Sequence, residues 1–358
     1  MVGLAACTSA DGAGVGTGLG MPALQLRQSA VIAPGGDSAF GYIVALAAGP
    51  EGEVYVADQS QSRIAVFSPG GVPLRYLGRP GSGPGEFSNF YSLAWSGDTL
   101  VVFDPGNGRL EYVDRHGAWV ESQTVVRASG RGVRLWQASS DAFYAPAYVP
   151  AEGGQGIRMV LVRRGLDVNP DTLVPPKMEQ RSAGRVECST PDGAIHFWTA
   201  PSRPSRLLAV TRDGRVVTGW SDSLHLKFTG NDSVVDEWEG GGSTIAVPDS
   251  AWEASLADFR VWHSKLEKPA CEPAAPERPS ALPILLSVEF DDLGRAWLER
   301  SGPEGHWFEV RDSVGTPLFR VAAPQREADV PFVVRDGRFY YVRTAEDGSQ
   351  EVVVAEVE

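Results

Sequence analysis

Two arginines with matching surroundings are the first residues that could do chemistry. Arg63 closes DQSQSR (58–63) and Arg109 closes DPGNGR (104–109), each five positions after an aspartate. A guanidinium in such a turn can take an anionic ligand, or it can pair with its own aspartate, Asp58 or Asp104, and brace the turn. Between them lies GRPGSGPGEF (78–87), four glycines and two prolines in ten residues. A phosphate loop needs GxxxxGK[ST] between a strand and a helix. Here Gly85 is followed by Glu86 and Phe87, and a carboxylate at the mouth opposes phosphate, so the stretch reads as a connector. GxSxG is absent, and GDSAFG (36–41) leads into a strand rather than a nucleophile elbow. DPGNGRLE departs from the EF-hand order after its first aspartate. The five histidines, His116, His196, His225, His263 and His306, stand singly, and no CxxC occurs, so zinc-ligand spacing is missing.

Composition narrows the field. The 358 residues carry a net charge of −13 and are 42% hydrophobic. That supports a sizeable core and disfavours nucleic acid, whose phosphates an acidic surface repels. No run of about 18 apolar residues is present to span a membrane. Near the start, Leu4-Ala5-Ala6-Cys7 resembles the lipobox of bacterial lipoproteins, and TSADGAGVGTGLGMP (8–22) is a polar, Gly-rich tether. Residues 1–23 therefore read as a truncated lipoprotein-type signal and tether, with Cys7 lipidated and the chain held at the cell envelope. Cys188 and Cys271 then remain as a pair that an oxidising compartment could join, or as two unrelated buried thiols.

The elements that position these residues repeat. VYVADQSQSRIAVFSPGG (from Val54) aligns without a gap on LVVFDPGNGRLEYVDRHG (from Leu100). Each unit is an apolar strand, a short turn, a second strand and a glycine turn, with another strand ahead and one behind. Weaker copies follow at 142–165, 194–220, 295–321 and 337–358, most at a period of about 40–50 residues, the spacing of propeller blades. The last unit stops at its third strand, while LRQSAVIA (26–33) stands unpartnered at the other end. Pairing the two closes a ring and removes two sheet edges. The predicted fold is all-β: a single six-bladed β-propeller of four-stranded antiparallel blades over 24–358, its N-terminal strand closing the last blade.

At GSGPGEFSNFYSLAWSGDTLVVFDPGNGRLEYVDRHG (81–117) the sequence resembles the NHL repeat. The match rests on Gly85, Glu86, Phe87, Asp104, Asn107, Arg109 and Leu110; blade one keeps Asp58, Arg63 and Ile64 but has Gln61 for the asparagine. The layout also resembles lipid-anchored bacterial propellers. An insertion of about 225–282 breaks the rhythm between blades four and five. Within it a helix is predicted over 250–267, with Ser250 and Glu253 as a capping box and Trp252, Leu256, Phe259 and Leu266 on one stripe packed across the propeller. Pro269 ends it.

In a propeller the connectors and second-to-third-strand turns surround the channel mouth. Arg63, Asn89, Tyr91 and Arg109 are the candidate binding residues there. Tyr91, Trp95, Trp136 and Trp198 either form a stacking platform or pack between blades. Metal-dependent lactonases of the gluconolactonase type share the six-bladed plan, and the resemblance implies a divalent cation, calcium or another, held by residues such as Glu187, Glu289 and Asp291. Peptide-amidating lyases are similar too, but need histidines spread across blades. No catalytic constellation is visible. The chain is expected to be a monomeric, non-catalytic envelope propeller presenting a face to a protein or small-molecule ligand, with no nucleic acid partner, no cofactor, and membrane contact only through a lipid anchor. A metal-dependent hydrolase or lactonase is the alternative.

Overall fold

A strand that is apolar on both faces has to be covered twice. Val54–Asp58 and Thr99–Asp104 are buried along their whole length, because each is sandwiched between neighbouring blades. Outer strands such as Pro73–Leu77 and Trp119–Thr124 are mostly exposed or half-buried instead. The computed structural model describes residues 20–124, 134–137, 142–150, 157–164, 171–173, 184–189, 195–230, 233–241, 245–266, 274–303 and 305–358. Cys7 and Cys271 lie outside the described residues.

In chain order, β1 (Ala23–Leu24) and β2 (Leu26–Ile32) precede the first blade. Blade one is β3 (Ile43–Ala48), β4 (Val54–Asp58), β5 (Arg63–Phe67) and β6 (Pro73–Leu77). Blade two is β7 (Ser92–Ser96), β8 (Thr99–Asp104), β9 (Arg109–Asp114) and β10 (Trp119–Thr124). Blade three is β11 (Trp136–Gln137), β12 (Phe143–Pro150), β13 (Ile157–Arg164) and β14 (Asp171–Leu173). A two-stranded hairpin follows, β15 (Arg185–Ser189) and β16 (Ile195–Thr199). Blade four is β17 (Arg206–Val210), β18 (Val216–Trp220), β19 (Leu224–Gly230) and β20 (Ser233–Gly240). After helix α1 (Asp249–Ser264) comes blade five: β21 (Leu285–Phe290), β22 (Ala296–Gly302), β23 (Gly305–Arg311) and β24 (Pro317–Ala322). Blade six is β25 (Val333–Arg335), β26 (Arg338–Thr344) and β27 (Gln350–Val357), completed by β2.

These six four-stranded antiparallel sheets form a propeller ring. The innermost strands pack in sequence: β3 against β7, β7 against β11, β11 against β17, β17 against β21, and β25 back against β3. Closure is by β2, which runs antiparallel to β27 from Leu26↔Val357 to Ile32↔Val352. Ahead of it, β1 adds a parallel fifth strand to blade five, Leu24 opposite Val321. One N-terminal segment thus staples two blades.

The insertion is smaller than the sequence suggests. Leu224–Gly240, read as its first part, are the outer strands of blade four, with His225 opposite Glu239 and Leu226 opposite Trp238. The run at 194–199, read as a blade-four strand, instead pairs with β15 outside the blades. Helix α1 starts at Asp249 behind Pro248, and no side chain caps it, so the expected capping box at Ser250 and Glu253 does not form. Pro248 begins the first turn through its carbonyl, which accepts from Trp252 N at 3.0 Å. Leu266 lies beyond the helix end.

The apolar stripe of α1 covers the β15–β16 hairpin rather than the blades. Trp252 and Phe259 are buried with Val186, Trp198 and Ala200, and Leu256 and Trp262 pack at the edge. Trp198 meets Phe259 edge-on at 5.2 Å, and its indole N–H donates to Asp258 at 2.9 Å. Two insertions far apart in sequence therefore make one small accessory layer. Cys188 in that hairpin is buried and disulfide-bonded.

Candidate functional site

The repeated Asp and Arg hold the connectors. Asp58 is fully buried and accepts from Gly41 N (3.2 Å) and Tyr42 N (3.1 Å). Asp104 repeats the pattern on Ser88 N (3.2 Å) and Asn89 N (3.1 Å). Each arginine takes the carbonyls of the same connector. Arg63 donates to Ser38 O at 3.2 Å and lies 4.1 Å over the Tyr76 ring. Arg109 donates to Ser82 O, Gly83 O and Glu86 O at 2.8–2.9 Å. Gln61 and Asn107 add one bond each, to Ala39 O and Gly81 O. The aspartate fixes the connector's N–H groups and the arginine its C=O groups. The arginine does not pair with its own aspartate, and neither arginine lines the channel cavity.

GRPGSGPGEF shows why it takes no phosphate. The Glu86 carboxylate accepts from Gly83 N at 2.9 Å and from Arg79 Nε at 2.9 Å, and these bonds, the backbone one first, hold it below its ordinary range. The loop's own anion fills the place a ligand would need. Gly78 stands at φ +82°, where a Cβ would fall 2.1 Å from the Phe87 ring, so only glycine fits.

Behind Arg109 sits a carboxylate that sequence reading passed over. Glu111 is fully buried in β9 and ion-paired with Arg109. Burial raises it to about 7, with Arg109 pulling down and Asp104 pushing up. Its folded value lies above the ordinary 4.5, so the folded state binds the extra proton and stability falls as pH rises between these values. Glu111→Gln removes that titration. The stability of wild type minus variant should decrease by on the order of 2–3 kcal/mol from pH 4.5 to pH 8 and level off above 7. Urea unfolding at several pH values measures it, and parallel curves would refute it.

The candidate site is the central channel, a cavity of about 510 Å³ lined by the innermost strands of all six blades. One mouth carries Tyr42, Tyr91 and Glu327; the other, formed by the turns after the innermost strands, carries Arg212, Asp291 and Arg335. Tyr91 lies where expected, and its hydroxyl accepts from Asn89 Nδ2 at 3.0 Å. Asn89 itself is held by Gln59 Nε2 at 2.6 Å and does not line the cavity. Trp95 and Trp136 line the wall, and both indole N–H groups are buried with no hydrogen-bond partner among the described residues. Trp198, by contrast, belongs to the accessory layer.

Charges from four blades converge here. Arg134 of blade three reaches Glu289 of blade five at 2.5 Å and lies 5.2 Å over Trp136. Arg212 of blade four donates from Nε to Asp291 O at 3.2 Å and makes no ion pair among the described residues. Burial lowers the Arg212 guanidinium, with Asp292 opposing and Arg335 of blade six adding like-charge repulsion; it stays protonated.

The expected metal ligands do not assemble. The lactonase resemblance implies Glu187 as a ligand at the channel. It sits instead on β15 of the accessory hairpin, exposed and paired with Arg185 at 2.5 Å. Glu289 is paired with Arg134. Asp291 is buried and spent on Leu293 N, Arg295 and the Trp297 indole. Among the described residues, the His and carboxylate groups near enough to share an ion are His225, Glu237 and Glu239, on the outer strands of blade four. They lie away from the channel.

No protein-family model matches the chain, and no curated protein matches it. Solved structures do. A protein described as exported, from Bacteroides fragilis, aligns with a TM-score of 0.50 at 9% identity over 93% of this chain and 94% of its own. A member of the DUF4221 family from Bacteroides vulgatus gives 0.50 at 9%, over 94% and 98%. A gluconolactonase from Xanthomonas campestris gives 0.43 at 12%, over 88% and 87%. At these identities the first two likenesses are of fold, and the fold they share with this chain is the β-propeller.

Proposed function

We propose that this chain is a non-catalytic binding propeller that takes a small ligand in its central channel. The observation that carries the reading is the cavity itself. Its size of about 510 Å³ suits a small organic molecule. Its wall is largely apolar, with the side chains of Trp95 and Trp136, each packed between two blades, among those that line it. The NHL-like latches of blades one and two serve the frame: they make the ring rigid, which limits the ordering cost of binding. Residues 1–23 tether the propeller to the envelope through Cys7, and the disulfide at Cys188, for which we propose Cys271 as partner, fits the oxidising side of a membrane.

The test is a thermal-shift screen of the full chain with sugars, organic acids and amino acids, with and without divalent cations. Ligands of the channel should raise the melting temperature of wild type and lose their effect in Ala94→Phe, which fills the cavity wall. Hits that act equally on the variant would overturn the reading. A shift that requires a divalent cation would bring the metal-dependent hydrolase forward.

A further inference from the structure

We infer that the channel mouth formed by the turns after the innermost strands is a carboxylate clamp, with Arg212 and Arg335 as its two jaws. The inference rests on the channel being a ligand site and names the chemistry of what enters it.

Both guanidiniums line the one cavity. Arg212 uses one N–H, from Nε to Asp291 O at 3.2 Å, and makes no other hydrogen bond among the described residues. Arg335 donates from Nη1 to Ala48 O at 3.1 Å, while its Nε is buried with no hydrogen bond and stands 3.6 Å from Asp336. Two like charges drawn together out of water oppose folding. An oxyanion between them reverses the sign of that term, and each guanidinium N–H it reaches from the cavity makes a charge-assisted bond. Fixed guanidinium forks suit this better than amines, since their planar donors match the two oxygens of a carboxylate.

The surroundings choose among oxyanions. Arg134 is already neutralised by Glu289. Asp292, whose Oδ2 accepts from Asp336 N at 3.1 Å and whose Oδ1 is buried without a partner, supplies negative potential beside Arg212. Asp336, 3.6 Å from Arg335 Nε, does the same for the second jaw, so each arginine already faces one carboxylate and a dianion such as a phosphate monoester is disfavoured. Beyond the jaws the wall is apolar, with Ala45, Leu93, Ala94, Ala209 and Val210. The ligand class is therefore a monocarboxylate with a compact apolar or aromatic body.

Isothermal titration of the full chain at pH 7 tests this with three probes sharing a phenyl body: 4-phenylbutyrate, 4-phenylbutyramide and phenyl phosphate. The carboxylate should bind at least about tenfold more tightly than the amide, and Arg212→Gln should erase that advantage by weakening the carboxylate far more than the amide. Arg335→Gln should act in the same direction, as a second variant with a different backbone contact. Equal affinity for carboxylate and amide in wild type overturns the clamp while leaving the channel reading intact. Tighter binding of phenyl phosphate overturns the choice of carboxylate. Binding of none of the three overturns the clamp, whatever the wider ligand screen finds for the cavity.

Discussion

Deleting residues 20–33 is expected to abolish cooperative folding. The segment supplies β2, the outer strand of blade six, and β1, the extra strand on blade five. Ile32 is 2% exposed and packs with Val352 and Val354, while Leu24 and Leu26 cover the neighbouring core. Arg27 adds bonds to Glu356 (2.6 Å) and Glu358 (2.7 Å), but both ends are exposed and weigh little. The apolar side chains at roughly 1.5–3 kcal/mol each, with a ladder of hydrogen bonds near 1 kcal/mol each, sum to about 5–10 kcal/mol. That is comparable with the whole stability of a domain, roughly 5–15 kcal/mol. Truncation also uncovers the edge of β27, a Val-rich strand and a template for association. The truncated chain should therefore elute as aggregate or dimer and lose its sharp melt, and a synthetic peptide of residues 20–33 should restore both. A truncated monomer melting within a few degrees of the full chain would show that the ring does not depend on this closure.

The closure was legible because leftovers at the two ends of the sequence complete each other. Blades one and two were legible because the ungapped offset repeats Asp58, Arg63 and their partners at Asp104 and Arg109. What those residues do was not legible. A spacing of five suggested a pair within the turn, whereas the backbone brings in a connector whose N–H and C=O groups outcompete it. Blade four was misjudged at its edge for a related reason. In SVVDEWEG the buried position is Trp238 alone, so an outer strand that faces water reads as polar linker. The β15–β16 hairpin erred in the opposite direction, since strand alternation is the same inside a blade and outside it. The channel charges lay beyond reach altogether. Arg134, Arg212, Glu289 and Arg335 come one from each of four blades, and no local pattern links residues that only the closed ring brings together.

The same limit hid a buried network of three charges, and it yields the second large expected effect. Glu309 in β23 is 4% exposed and holds two arginines, Arg300 at 2.7 Å and Arg311 at 2.7 Å, both also buried. Burial lowers the Arg300 guanidinium, Glu309 working against it. Arg300 also donates to Gly241 O (3.2 Å) and Ile284 O (3.3 Å), the two ends of the segment that carries α1. Glu309→Ala leaves two buried guanidiniums facing each other, and breaking such a set from one side costs about 3–5 kcal/mol. Glu309→Gln keeps the acceptor and the volume while losing the charge, and should cost less. Replacing all three residues with apolar side chains of similar volume should be close to neutral, because the desolvation of the ions disappears with their attraction. If Arg300 anchors the insertion as its bonds indicate, Glu309→Ala should in addition speed hydrogen exchange and proteolysis across α1 while blades one and two keep their protection. A loss below about 1 kcal/mol, the range of an exposed pair, would mean that water reaches this triad. Unchanged exchange in α1 with a large loss of stability would separate the two roles, leaving the triad to hold blades four and five together and the hairpin alone to hold the helix.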